Sequence, residues 1–229
     1  MKLLFSVVLG VVLLVSQANA EEKKALQTAK EKQGYSIGVD MGNRLKSNAI
    51  DIDADAIAQG LKDALSGGKL LMTEQEMKET LAGLQKELMD KQAERTKQIA
   101  EKNKKEGEAF LAANKTKECV KTLSSGLQYK VIKEGTGKMP KAEDTVVTNY
   151  RGTLVDGTEF DSSYKRGQPA TFPVKGVIPG WTEALQLMKE GSKWELFIPS
   201  NLAYGERGAG NVIGPNATLI FEIELISVK

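Results

Sequence analysis

Val146-Val147-Thr148-Asn149-Tyr150-Arg151-Gly152-Thr153-Leu154 and Leu219-Ile220-Phe221-Glu222-Ile223-Glu224-Leu225-Ile226 decide the fold of this 229-residue chain. Core-forming residues recur at every second position: Val146, Thr148, Tyr150 and Leu154 in the first stretch, Leu219, Phe221, Ile223 and Leu225 in the second. A period of two places each set on one face of an extended chain, so both stretches are expected to be half-buried antiparallel strands. Between them, a proline near the start and Gly191 just past the end bracket one short helix over about 179–188. A helix laid on a sheet is the simplest arrangement that buries both apolar faces.

Upstream the pattern changes. The polar stretch 114–126, which carries Cys119, reads as a linker. Before it, Thr73-Glu74-Gln75-Glu76 has the hydroxyl-then-carboxylate spacing of a capping box and opens a stretch without proline until Pro140. One long helix is expected from Thr73 to near Ala113, about 60 Å long at about 1.5 Å per residue. Met77, Leu81, Leu84 and Leu88 give its first turns an apolar edge that needs a partner. Beyond Asp90 helix formers continue with little to bury, which reads as a solvated stalk with a weak point at Gly107. Two shorter helical stretches precede it over about 24–68. The second is capped by Asp53, closes at Ser66-Gly67-Gly68 and carries an apolar stripe of Ile57, Leu61, Ala64 and Leu65.

At the N-terminus Lys2, an apolar run from Leu3 to Val15 and Ala18-Asn19-Ala20 have the order of a cleavable export signal, with cleavage expected after Ala20. A membrane anchor is the competing reading, but the run falls short of the roughly twenty residues needed to span a bilayer. No cysteine follows it to carry a lipid. Export implies an oxidising compartment, in which Cys119 could link two chains, stay free or sit unpaired in the linker.

Composition removes most chemistries. The chain has no histidine and one cysteine, so histidine triads, histidine-ligated metals and paired-cysteine zinc or redox motifs are excluded. No metal and no cofactor are expected. Lys+Arg of 32 against Asp+Glu of 30 leaves a charge of +2, and no basic cluster is interleaved with aromatics, so nucleic acid is not an expected partner. Gly135-Thr136-Gly137-Lys138 and the glycines from 205 to 210 lack the spacing of a phosphate loop.

Several blocks of the C-terminal half nevertheless stand in a telling order: Tyr150, Asp156-Gly157-Thr158-Glu159-Phe160-Asp161-Ser162-Ser163, Val177-Ile178-Pro179-Gly180-Trp181, Ala203-Tyr204-Gly205, and Ile213 through Phe221. This order, over about residues 124–229, resembles the FKBP-type peptidyl-prolyl cis-trans isomerases. The resemblance implies an α+β protein whose C-terminal domain is a curved antiparallel sheet wrapped on a short helix, with a proline-binding cleft between them. Tyr150, Phe160, Phe172, Val177, Ile178, Trp181, Ile213 and Phe221 match the residues that line that pocket, with Trp181 as its floor. By the same resemblance the Tyr204 hydroxyl donates to a substrate carbonyl, and Asp161 faces the carbonyl of the residue before proline. Asp161 also has a plainer reading, because an Asp before Ser162-Ser163 commonly organises a turn. Ala209 stands where some members of the family carry a histidine, which leaves the proline pocket intact and alters its rim.

Over its whole length the chain is similar to the macrophage infectivity potentiator and FkpA branch of that family. This implies a signal peptide (1–20), an all-helical dimerisation domain (21–72), a long connecting helix (73–113), a linker (114–125) and an isomerase domain (126–229). It further implies a V-shaped homodimer in the periplasm, with outer-membrane association an open question. The implied partners are proline-containing unfolded or exported polypeptides and the macrolide inhibitors tacrolimus and rapamycin. The alternative function is a holdase chaperone or surface binding protein in which turnover is secondary; a purely structural dimeric spacer makes no use of the aromatic set.

Overall fold

The computed structural model describes residues 25–229, and the expected export signal lies outside the described residues. Two compact units result, one ending at Thr73 and one running from Glu74 to Lys229.

In the first unit, α1 spans Ala29–Ser47 and α2 Ala54–Ser66. Thr28 and Glu31 form a reciprocal capping box at the start of α1, closing two backbone donors that no earlier turn could satisfy. Asp53 accepts from the backbone N–H groups of Asp55 and Ala56, and Gly67 closes α2 in the left-handed conformation at φ 65°. Neither helix buries a residue; Leu65 stays 80% and Leu71 84% exposed.

The second unit opens with α3, a 41-residue helix over Glu74–Asn114. Seven strands follow: β1 Val120–Thr122, β2 Gln128–Lys133, β3 Thr145–Leu154, β4 Glu159–Ser162, β5 Ala170–Pro173, β6 Lys193–Ile198 and β7 Leu219–Val228. The short helix α4, Pro179–Leu185, lies between β5 and β6. The antiparallel sheet runs β1-β2-β6-β7-β3-β4, with β5 pairing the other half of β3. In β3 Val146, Thr148, Tyr150 and Gly152 are buried, and in β7 Leu219, Phe221, Ile223 and Leu225, as the period of two requires. Leu185 and Met188 are fully buried on this face with Leu127, Leu196 and Ile198.

Three local features differ from the sequence-based expectation. The stretch read as a linker holds β1, whose residues pair with β2 from Val120↔Lys130 to Thr122↔Gln128. Helix α4 ends at Leu185, and Met188 is brought into the core by a turn in which its N–H donates to Ala184 O. The largest difference concerns α3, whose last turns are docked on the sheet instead of solvated. Gly107 is buried because a Cβ there would come within 3.1 Å of Thr218 Cβ. The rings of Phe110 and Phe197 lie 5.9 Å apart, and Asn114 Nδ2 donates to Gln128 Oε1 at 3.0 Å while Gln128 Nε2 donates to Leu111 O at 2.9 Å. A helical glycine costs about 1 kcal/mol against alanine, and close approach offsets that here, so Gly107 marks a contact and the helix runs unbroken through it.

Candidate functional site

Trp181 sits in the first turn of α4, where Pro179 presets the helical φ without wasting a donor and the Trp181 N–H donates to Ile178 O at 2.9 Å. Gly180 lets this turn press on the sheet, since a Cβ there would stand 2.6 Å from Ile198 Cγ2. The indole is 3% exposed and forms a floor. Around it stand Tyr150 and Phe221 with centroids 5.2 Å away and Phe172 at 5.8 Å, all within a few degrees of perpendicular. Phe160 meets Phe221 edge to face at 5.4 Å. Such edge-to-face pairs add about 0.5–1.5 kcal/mol each beyond buried area, so the walls are stiff.

The rings enclose an open cavity of about 590 Å³. Its lining includes all ten residues singled out from the sequence: Tyr150, Phe160, Asp161, Phe172, Val177, Ile178, Trp181, Tyr204, Ile213 and Phe221. Gly176 and the segment from Ala209 to Val212 complete it. Tyr150, Phe160, Phe221 and Asp161 come from three neighbouring strands, Ile178 and Trp181 from the start of α4, and Tyr204 and Ile213 from the loop before β7. Tyr204 is a rim residue, 41% exposed.

One edge of the cavity is polar. The Tyr150 hydroxyl donates to Asp161 Oδ2 at 2.5 Å, Arg166 Nη2 donates to the Tyr150 oxygen at 2.6 Å, and Arg166 Nη1 donates to Asp161 Oδ1. The Ser162 N–H adds a third bond to the carboxylate, 2.8 Å to Asp161 Oδ1, between neighbours within β4; the turn that follows is bonded through Ser162 Oγ and Ser163 O instead. Burial works against the ionised form of Asp161, but hydrogen bonds from Tyr150 and Arg166 and the guanidinium charge outweigh it and hold the carboxyl below its ordinary value. Burial, seconded by the bond to Asp161, pushes the Tyr150 hydroxyl up. Arg166 was not singled out from the sequence. It is delivered by a turn after β4, in which its N–H donates to Ser163 O at 3.1 Å, the Lys165 N–H donates to Ser162 Oγ at 3.4 Å and Gly167 adopts φ 71°; the serine pair and the glycine are the local signals of that turn.

Gly152 was also passed over. It faces Phe221 across β7, and a Cβ on it would lie 2.6 Å from two Phe160 ring atoms and 2.7 Å from Phe221 Cε1. A glycine in the buried phase of an alternating strand is the available clue to such a close approach.

Among the described residues no group of three or more acidic or cysteine side chains is placed to hold a metal. No helix there is long and apolar enough to cross a membrane.

A curved antiparallel sheet closed over a short helix, with an indole-floored and aromatic-walled cleft, defines the class of module. Residues 136–226 match the FKBP-type peptidyl-prolyl cis-trans isomerase family, and residues 30–131 match the domain amino-terminal to FKBP-type peptidyl-prolyl isomerases. The chain belongs to the FKBP-type peptidyl-prolyl cis-trans isomerase family and is an enzyme of that class. It is 52% identical to the "Outer membrane protein MIP" of Legionella longbeachae, over 100% of this chain and 98% of that protein. It is 49% identical to the "Peptidyl-prolyl cis-trans isomerase Mip" of Coxiella burnetii, over 100% of this chain and 99% of the relative. The crystal structure of FkpA from Escherichia coli superimposes with a TM-score of 0.73 at 39% identity, covering 90% of this chain and 99% of that one.

Proposed function

We propose that rotation about X-Pro bonds takes place in the cleft floored by Trp181, with the proline ring on the indole and Tyr150, Phe172 and Phe221 as its walls. The observation that carries this reading is the convergence of the ten residues on one cavity. Planarity of the peptide bond reflects resonance, and the barrier to rotation is about 18–20 kcal/mol. Twisting removes that resonance and the charge separation that comes with it. A dry, apolar site therefore penalises the planar ground state more than the twisted transition state. Shortening a spontaneous time of about 100 s to about 10 ms requires about 5.5 kcal/mol, within reach of a few well-placed contacts. No covalent intermediate is needed.

The polar edge supplies the directional part. The Tyr204 hydroxyl, at the rim, donates to a substrate carbonyl and holds the chain flanking proline. Asp161 faces the carbonyl of the residue before proline. As the amide twists, nitrogen ceases to feed electron density into that carbonyl and its carbon becomes more positive, so a fixed carboxylate oxygen nearby favours the twisted form. Tyr150 and Arg166 keep that oxygen in place.

Residues 126–229 serve in this reading as the isomerase domain and 21–72 as a dimerisation domain, with 73–113 the connecting helix, while 114–125, which holds β1, joins that helix to the sheet as part of it. The exposed Leu65 and Leu71 support dimerisation, because apolar side chains left open on a small helical unit call for a partner. The substrates are proline-containing segments of unfolded or exported polypeptides in the periplasm, reached through the signal at 1–20. Tacrolimus and rapamycin are the expected inhibitors, and the cavity volume falls in the ordinary range for small-molecule sites. Nothing in the described residues favours a chaperone without turnover.

The test is cis-trans exchange of a short proline peptide followed by NMR with the full chain. Acceleration blocked by rapamycin is expected, with KM raised by Phe172→Ala and kcat/KM lowered about threefold to tenfold by Tyr204→Phe. Wild-type turnover in both variants would overturn the assignment of the cleft.

A further inference from the structure

The segment from Gly208 to Ala217 supplies one wall of the cleft through Ile213, which is 8% exposed. It is a poor candidate for a rigid wall on its own. Gly208 and Gly210 hold positive φ, Asn216 sits at φ 56°, and its internal backbone bonds are the Ala209/Ile213 pair at 2.8 and 3.1 Å and Ala217 N–H to Gly214 O at 3.3 Å. Outside the segment, Asn216 N–H donates to Gly205 O at 2.8 Å.

What stiffens the far side is the helix α3. Asn103 Nδ2 donates to Pro215 O at 2.8 Å across 112 residues of sequence. Gly214, next to Ile213, lies so close to the helix that a Cβ on it would stand 2.9 Å from Asn103 Nδ2 and 3.1 Å from Ile99 Cγ2. Just beyond, Gly107 admits Thr218. Asn103 has no place in the cavity lining, so it can reach substrate only through this loop.

We infer that Asn103, on the connecting helix, is a positioning residue for isomerisation: by holding Pro215 and Gly214 against α3, it keeps Ile213 in the wall of the proline cleft. The inference rests on the cleft assignment above. Its physical basis is the population of the binding-competent loop. When a loop is held in one conformation, binding does not have to order it; when it is released, apparent affinity falls by the fraction still competent. Losing one hydrogen bond is expected to lower that fraction about fivefold.

The experiment uses the full-length protein and a short proline peptide. Asn103→Ala and the isosteric Asn103→Asp, which cannot donate to Pro215 O, are expected to raise KM about fivefold with kcat within about twofold. Gly214→Ala, which pushes the loop off the helix, should shift KM in the same direction. Asn103→Gln, which retains the donor, should recover part of the loss, and Lys104→Ala, exposed on the same helix, should behave as wild type. A purely structural contribution would lower the unfolding midpoint and leave KM unchanged at temperatures well below it, and that result overturns the inference. Phe172→Ala separates the two claims. If it raises KM while the Asn103 variants do not, the positioning role fails and the cleft stands; if neither changes KM, the cleft assignment fails as well.

Discussion

Replacing Gly152 by alanine tests the packing that shapes the cleft. The new methyl group would lie 2.6 Å from Phe160 Cε2 and Cζ and 2.7 Å from Phe221 Cε1, against about 3.4 Å for ordinary contact, so the two rings must together give way by about 0.8 Å. Neither can yield alone. Phe160 is set edge to face against Phe221, and Phe221 is locked against Trp181 at 5.2 Å. Overpacking of this kind costs about 1–3 kcal/mol, and alanine recovers about 0.5–1 kcal/mol of backbone entropy, which leaves a loss of about 1–2 kcal/mol.

The two tryptophans of the chain, Trp181 and Trp194, both lie buried in the second unit, so intrinsic fluorescence reports on unfolding there. With a urea dependence of about 2 kcal/mol/M, the midpoint should fall by about 0.5–1 M. Peptide isomerisation should suffer more than stability does, because both displaced rings line the cavity and misplacement by nearly 1 Å can cost up to about a hundredfold. An unchanged midpoint with kcat/KM within about twofold of wild type would show that the rings are not held as described, and the argument for a stiff aromatic wall would fail.

Asp161→Asn should destabilise the second unit at neutral pH. Since the folded carboxyl titrates below its unfolded value, this contribution is present above about pH 4 and is lost as pH falls through the folded value, so the urea midpoints of variant and wild type should converge in acid. A gap that widens in acid would reverse the assigned cause. With no histidine in the chain, Asp161 held low and Tyr150 held high, kcat/KM should stay flat from about pH 5 to about pH 9; a bell-shaped profile would indicate proton transfer. The full chain should sediment as a dimer, and Leu65→Asp with Leu71→Asp should make it monomeric while short-peptide turnover persists; a wild-type monomer would refute the dimer, and an unchanged dimer in the variant would place the contact elsewhere.

The parts of the fold that were legible are those written as periodicity. Alternation in β3 and β7 specifies which side chains face inward, and Asp53 and Gly67 mark the ends of α2, because caps are local chemistry. The aromatic set was legible through its order along the chain, although no single ring differs from ordinary core. What escaped depends on contacts between distant segments. β1 is only Val120-Lys121-Thr122, too short for alternation to show despite two β-branched residues, and its pairing with β2 makes it a strand. Arg166 reaches Tyr150 because a turn folds back, and no periodicity encodes a turn's direction. The docking of α3 joins Ile99 and Phe110 to Asn103, Gly107 and Asn114, so that small and polar residues share the contact face and no continuous apolar stripe marks it.

The cleft divides its labour along the sheet. Its floor and walls carry no charge and make the surroundings of a prolyl amide poor at supporting charge separation, while the one carboxylate stands at the edge with three hydrogen bonds made. A carboxylate loosely held would turn to meet whatever dipole the substrate offers, and would favour the planar and the twisted amide alike. Fixed by Tyr150, Arg166 and the Ser162 N–H, it cannot adapt, and in the mechanism proposed above its preference for one carbonyl geometry over the other is what lowers the barrier. In the same proposal a glycine, a guanidinium from a turn and an asparagine on a helix serve a reaction none of them touches. Each removes a freedom that the substrate would otherwise have to remove on binding.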